Sequence, residues 1–435
     1  MLSKLKILLF ILFLQLIVFS QFAGGTGTEE DPWLIRTASN LDSIRYYIGE
    51  EHADQYFLQI ENIDLGVAPW NNGTGWKPIG DDTLPFMGNY EVEIDRQWNG
   101  YDYYSEILHL VINDTLLNNA GLFGVIQNAS IVNVQVILGE ILGKNSCGSL
   151  AGSSKNSKII NCSAASCKIT GLDNNIGGLI GFSVGDSVSV GCSDIWWGLP
   201  AGEVSGIGNV GGLIGNCKSS ISNCYSTSDI EGNNSVGGFI GLVNNSSILN
   251  CHSVGNVTGD YFIGGLVGAG DSTSVIHSYW SINTSGQSES AYGEGRIDMS
   301  NYNDSTFVDW DFDDIWNLSY ENHGPSPFPR FYRNIYVGIS NEQLLVNNLE
   351  LEQNYPNPFN PTTKISYILP NGYFNNVKLE IFNIKGELVK LLVNQKQNTG
   401  KYSVEFNAAN LNSGIYFYSL KTANTITSKK MILLK

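Results

Sequence analysis

Hydrophobic and small residues recur in a fixed order along the middle of the chain. Gly-Gly-apolar-apolar-Gly stands at 177–181, 211–215, 237–241 and 264–268, and looser copies stand at 120–124 and 148–152. About ten residues beyond an anchor, apolar and polar positions alternate, as in Lys158-Ile159-Ile160-Asn161-Cys162, Ser220-Ile221-Ser222-Asn223-Cys224 and Ser247-Ile248-Leu249-Asn250-Cys251. Alternation of period two predicts strands with one face inward. The last glycines, Gly124, Gly152, Gly181, Gly215, Gly241 and Gly268, are 26 to 34 residues apart. That period means a stack in which no unit buries its own apolar face. The expected fold is therefore all-β, a parallel β-solenoid (β-helix) whose glycines turn tightly or approach a neighbouring coil where a Cβ would clash.

Stacking gives the other recurrences a place. Cys162, Cys192, Cys224 and Cys251 are expected to form an interior column, since buried free cysteine behaves as a small hydrophobe. Adjacent strands also lie close enough for disulfides, and a metal site is the third alternative. Asn161, Asn223 and Asn250 are expected to stack as an amide ladder. Ahead of the repeats, residues 40–49 predict a short helix with Leu41, Ile44 and Ile48 on one face. Apolar runs follow at 56–60, 76–79 and 107–112. A solenoid needs such a terminal cap over its first coil.

The outermost N-terminal segment reads differently. Lys4 and Lys6 precede an apolar run at 8–19, with cleavage expected after Ser20, the pattern of a secretory signal peptide at residues 1–20. No later run reaches the length of a membrane span, so no membrane span is expected after cleavage. The net charge is −17, unevenly spread. Residues 350–435 hold ten Lys and five Glu, whereas residues 21–349 hold 12 basic and 36 acidic side chains. An acidic body argues against nucleic acid and anionic membrane as partners.

At this point the chain resembles known families. Gly-Gly-Leu-Ile-Gly followed by Asn-Cys-Tyr-Ser at 223–226 is similar to the GLUG-motif repeats of bacterial surface proteins. Asp31-Pro32-Trp33-Leu34-Ile35, Trp76-Lys77-Pro78-Ile79-Gly80, Ser278-Tyr279-Trp280 and Trp310-Asp311-Phe312 resemble that family's flanks. Residues 350–435 open with Asn354-Tyr355-Pro356-Asn357-Pro358-Phe359-Asn360-Pro361 and continue through Ile381-Phe382-Asn383-Ile384-Lys385-Gly386. They resemble the type A C-terminal sorting domain of the type IX secretion system of Bacteroidota. That resemblance implies the type IX machinery as a partner through residues 350–435 and a secreted or outer-surface location. The alternation there reads as a small β-sandwich. The expected organisation is a capping segment with first coils at 21–118, repeats at 119–286, a C-terminal solenoid cap at 287–333, a linker at 334–349 and the sorting domain.

Candidate chemistry is sparse. Gly181-Phe182-Ser183-Val184-Gly185 matches a nucleophile elbow by letters, but its first glycine is the repeat anchor and no strand–turn–helix setting is expected. Five histidines lack zinc-site spacing, and the acidic cluster at 309–314 lacks calcium-loop spacing. No catalytic residue, metal or cofactor is assigned. Aromatics off the repeat pattern are the better candidates. Trp196 and Trp197 lie in an insertion of about five to eight residues between Gly181 and Gly215, and repeat insertions become projecting loops. Trp98, Tyr101, Tyr103 and Tyr104 make a second cluster. Both suit binding of a glycan or surface protein. The alternative is a carbohydrate-active enzyme, a lyase or glycosidase, on the same scaffold. Two carboxylates across a groove would favour the enzyme.

Overall fold

A computed structural model describes residues 21–98, 101–189, 192–194, 202–297, 299, 307, 309–312, 315–320, 324–331, 350–369, 376–397, 400–422 and 426–434. The leader expected at 1–20 and the linker expected at 334–349 lie outside the described residues. The chain divides into two units, Met1–Ile335 and Tyr336–Lys435.

The first unit is a parallel β-solenoid of about eight turns. One turn shows how the sequence makes a coil. Strands Ala151–Lys155 and Lys158–Ile160 lie in sheet A, Ser163–Ala165 in sheet B, and Lys168–Gly171 and Asn174–Gly177 in sheet C. Each pairs in parallel with the next turn: Ala151 with Ile180, Lys158 with Ser187, Ser163 with Cys192, Lys168 with Glu203 and Ile176 with Val210. Bends fall at Asn156, Asn161, Ser166 and Asn175, with φ of 50°, 51°, 51° and 64°. This left-handed region is one that asparagine tolerates through local hydrogen bonds.

The glycine anchor is the corner from sheet C to sheet A. Its apolar residue, Leu122, Leu150, Leu179, Leu213, Phe239 or Leu266, is fully buried. Burial of each such side chain is worth roughly 1.5–3 kcal/mol. The backbone ladder continues through the corner. Leu150 N donates to Leu179 O (3.0 Å), Leu179 to Leu213 (3.0 Å), Leu213 to Phe239 (2.9 Å) and Phe239 to Leu266 (2.9 Å). Glycine is required here by close approach. None of the eight glycines that open or close the four strict copies is among the positive-φ residues. A Cβ on Gly215 would stand 2.3 Å from Ile176 N, and one on Gly241 2.4 Å from Val210 N.

Two recurrences take a different form from the sequence reading. Cys162, Cys224 and Cys251 are fully buried thiols outside any disulfide, each bonded to the carbonyl two residues earlier at 3.2–3.3 Å. Cys192 does not join them. It pairs with Ser163 and Tyr225, one position beyond the column, so the cysteine of this coil is offset by one residue from Cys162 and Cys224. The asparagines serve chiefly as left-handed corners: Asn161, Asn223 and Asn250 have φ of 50–52°. One rung of the amide ladder is present, Asn161 Nδ2 to Asn133 Oδ1 at 2.8 Å. The sequence repeats did not single out Cys147, Cys167 and Cys217, which are equally buried.

The N-terminal cap is built around a helix over Ala38–Ser43, capped by Thr37 and continued by a 3-10 turn at Ile44–Tyr46. Leu41 and Ile44 face the core, and Phe22, Trp33, Tyr47 and Phe57 close over the first coil. Arg45 ties the helix to Trp76, lying 4.8 Å from the ring and donating to Pro78 O. At the other end, Phe307, Trp310 and Trp316 pack with Tyr225 and Tyr279 of sheet B.

The second unit has two antiparallel sheets. One contains Glu350–Leu351, Thr362–Leu369 and Gly400–Asn407. The other contains Leu388–Lys396, Asn376–Asn383, Gly414–Lys421 and Ile426–Leu433. They share one core that includes Ile365, Tyr367, Leu379, Ile381, Tyr418 and Leu420. Buried Asn354 fastens the proline-rich opening by donating to Pro356 O and Thr363 Oγ1, while its own N–H donates to the Tyr418 hydroxyl.

Among the described residues, the solenoid core holds one buried carboxylate. Asp186 accepts from Ser157 N (2.8 Å) and Ser183 Oγ (2.6 Å), and Ser219 Oγ accepts from Asp186 N. Burial raises its carboxyl to about 6, and those hydrogen bonds hold it from going higher. Folding thus favours the protonated acid. Its stabilising contribution is complete below the unfolded value of about 4 and is lost as pH rises through 6. Asp186→Asn keeps an acceptor without the charge. The expected result is an unfolding free energy at pH 7 higher by on the order of 2 kcal/mol, seen as a raised urea midpoint, with a flatter stability profile between pH 4 and 6. A profile as steep as wild type would contradict this. Gly215→Ala, which drives a methyl into the Ile176 backbone, is expected to cost about 2–3 kcal/mol by overpacking. Urea denaturation measures it.

Candidate functional site

The sequence-predicted binding residues fall in two separate places. Trp98, Tyr101, Tyr103 and Tyr104 belong to a hairpin, Ile94–Trp98 with Tyr101–Tyr104, in which Trp98 pairs with Tyr101. It leaves the stack between Asn89–Val92 of sheet A and Glu106–Leu108 of sheet B. Glu91 and Glu106 stand at its root, and burial raises both carboxyls above the ordinary range. Trp196 and Trp197 lie outside the described residues. Their segment leaves between Cys192–Asp194 of sheet B and Glu203–Gly211 of sheet C. Eight residues intervene there, against two between Ser163–Ala165 and Lys168–Gly171. The strands that flank the two segments meet at different corners and three coils apart, about 14 Å along the axis at ordinary strand spacing. Trp70, also off the repeat pattern, is half-buried against Trp76 with ring centroids 5.7 Å apart.

The elbow-like motif is explained by the scaffold. Gly181 packs against the backbone of Ser146 and Cys147, Ser183 is buried inside the stack, and Gly185 is a left-handed corner with φ of 69°. Ser183 meets Asp186 and Ser219, on strands and without a helix.

Sheet C presents a broad outer face beside the insertion. Ile169, Val204, Ile230 and Val257 point inward and are buried. The alternate positions form registered outward columns. One is Lys168, Glu203 and Asp229; the next is Thr170, Ser205, Glu231 and Thr258. The last, where the sheet bends, is Asn174, Gly208, Asn234 and Tyr261. Lys168 Nζ meets Glu203 Oε2 at 2.9 Å, a contact that raises the lysine's pKa. Ser205 Oγ donates to Thr170 Oγ1 at 3.2 Å, and Asn233 Nδ2 to Asp260 Oδ2 at 2.9 Å. Hydroxyls, amides and carboxylates one strand apart can donate to and accept from a polyhydroxylated ligand. Sequence reasoning did not find this face, because its outward residues change identity from coil to coil. The exposed Tyr261 and Phe262 carried a signal it did not use, an aromatic pair where sister coils have Asn-Asn, Asn-Ser or Gly-Asn.

Among the described residues no group of three or more His, Cys, Asp or Glu side chains could hold a metal ion. No helix among them is long and apolar enough to cross a membrane. Buried Cys147, Cys162, Cys167 and Cys217 have thiols pushed up to about 12 by desolvation, which makes them poor nucleophiles.

Over 133 residues, 31% of its length, the chain is 38% identical to a protein of Evansella cellulosilytica described as a Gly-rich membrane protein. Over 175 residues, 38% of the chain, it is 30% identical to a halomucin of Haloquadratum walsbyi. The chain spans only 14% and 2% of these relatives' lengths. No solved structure matches. Residues 353–434 match the family of secretion system C-terminal sorting domains, so the second unit is a type IX sorting tail carried behind a β-solenoid.

Proposed function

We propose that this chain is exported by the type IX secretion machinery through residues 350–435 and that its solenoid, of the GLUG-repeat kind, acts outside the cell as a non-catalytic binding module for a glycan or surface partner. The carrying observation is the pairing of a sorting tail with a solenoid whose sheet C face is lined by polar side chains and edged by exposed aromatics. Similarity to a protein described as a membrane protein supports a surface setting. The acidic body disfavours anionic partners.

One observation favours a carbohydrate-active enzyme as the second reading. Glu91 and Glu106, with raised carboxyl pKa values, lie on the strands that flank the aromatic hairpin, and glycoside chemistry uses two carboxylates.

Deleting residues 350–435 is expected to keep the protein inside the cell envelope, as read by fractionation; undiminished appearance at the surface or in the medium would overturn the export reading. Binding of the exported chain to a glycan array is expected to weaken at least tenfold when Trp196 and Trp197 are changed to Ala if the insertion carries the contact. Glycan cleavage that is lost in Glu91→Gln or Glu106→Gln would favour the enzyme instead.

A further inference from the structure

The bend in sheet C has a left-handed residue in every repeat coil. Asn119, Ser146, Asn175, Asn209 and Ser235 hold it with φ of 51–64°. The sixth coil places Phe262 there, with φ of 52°. A bulky residue in this region is a conformational outlier, and such outliers persist where the surrounding structure or a function demands them. Core packing makes no such demand here, since Phe262 is 68% exposed and Tyr261 beside it 67%.

The surroundings point to a ligand class. Tyr261 is in register with Asn234, Gly208 and Asn174. Gly208 makes room in that column for the Asn174 amide, whose Oδ1 would stand 2.3 Å from a Cβ there. Ser235 Oγ holds the Asn234 amide by its oxygen, and Asn233 is joined to Asp260. Two exposed rings therefore border a column of amides and a carboxylate. Rings of this kind offer flat apolar faces beside polar groups that fix orientation. Asp229, Glu231 and Asp260 on the same sheet repel anions. Val257–Gly264 is also the last strand of sheet C among the described residues. Its left-handed kink and Asp260 spoil the flat row of backbone groups that an added strand would need.

We infer that Tyr261 and Phe262, with Asn234 and the Asn233–Asp260 pair, form a subsite for an uncharged saccharide, the two rings stacking on sugar faces and the amides and carboxylate bonding to hydroxyls. This rests on the proposed binding function and locates it on the last repeat coil.

The test uses the full exported chain against neutral, uronate-containing and sulfated oligosaccharides by calorimetry. Phe262→Asn restores the residue type of the sister coils, so it is expected to fold with an unchanged or higher melting temperature. Neutral saccharide binding should fall at least tenfold in Phe262→Asn and in Tyr261→Ala, and stay unchanged in Tyr46→Ala, an exposed tyrosine of the N-terminal cap. Wild-type binding that survives in both variants would overturn the subsite and leave the binding function standing. Tighter binding of sulfated or uronate sugars would also overturn it. Failure of wild type to bind any saccharide would remove the glycan reading itself and the subsite with it.

Discussion

Everything in the solenoid depends on one constraint, that each coil must hydrogen-bond to the next through its corners as well as along its strands. Parallel strands stack about 4.8 Å apart, and the Leu150, Leu179, Leu213 and Phe239 corner amides continue the ladder between sheets C and A. Bringing two sheets that close leaves no room for a Cβ at Gly215 or Gly241. The glycines are therefore a packing requirement. The buried leucines beside them supply the apolar surface that drives stacking.

That constraint explains what was legible in the sequence. A feature repeated in every coil leaves a periodic trace, so the glycine corners, the inward Leu and Ile positions and the alternating strands were readable. Cys192 was misplaced because recurrence was judged by residue type, whereas the backbone register counts position and pairs Cys192 with Ser163, one place beyond Cys162. The asparagines were read for their side-chain amides, although their backbone angles are what every coil shares. The sorting domain was readable through a different signal, a dense motif in which Asn354 and Phe359 each have a packed role.

The candidate site was far less legible, for the converse reason. A binding surface on a repeat protein is made of positions that differ from coil to coil, so periodicity hides it. The sheet C columns combine residues 26 to 35 positions apart whose outward identities do not repeat. Phe262 shows the one route in from sequence: find the corner first, then ask which coil breaks its rule. Asp186 is a similar departure inside the stack, a carboxylate retained by serine and backbone donors.

Native-state amide hydrogen exchange on the full chain tests the central claim most directly, because it reads the corner ladder residue by residue. If corner bonding holds the coils together, Leu150, Leu179, Leu213 and Phe239 will exchange only with global unfolding of the solenoid, as slowly as the strand amides of Ile159 and Ile221. Exchange of these four at rates typical of surface turns, while the strands stay protected, would contradict the account.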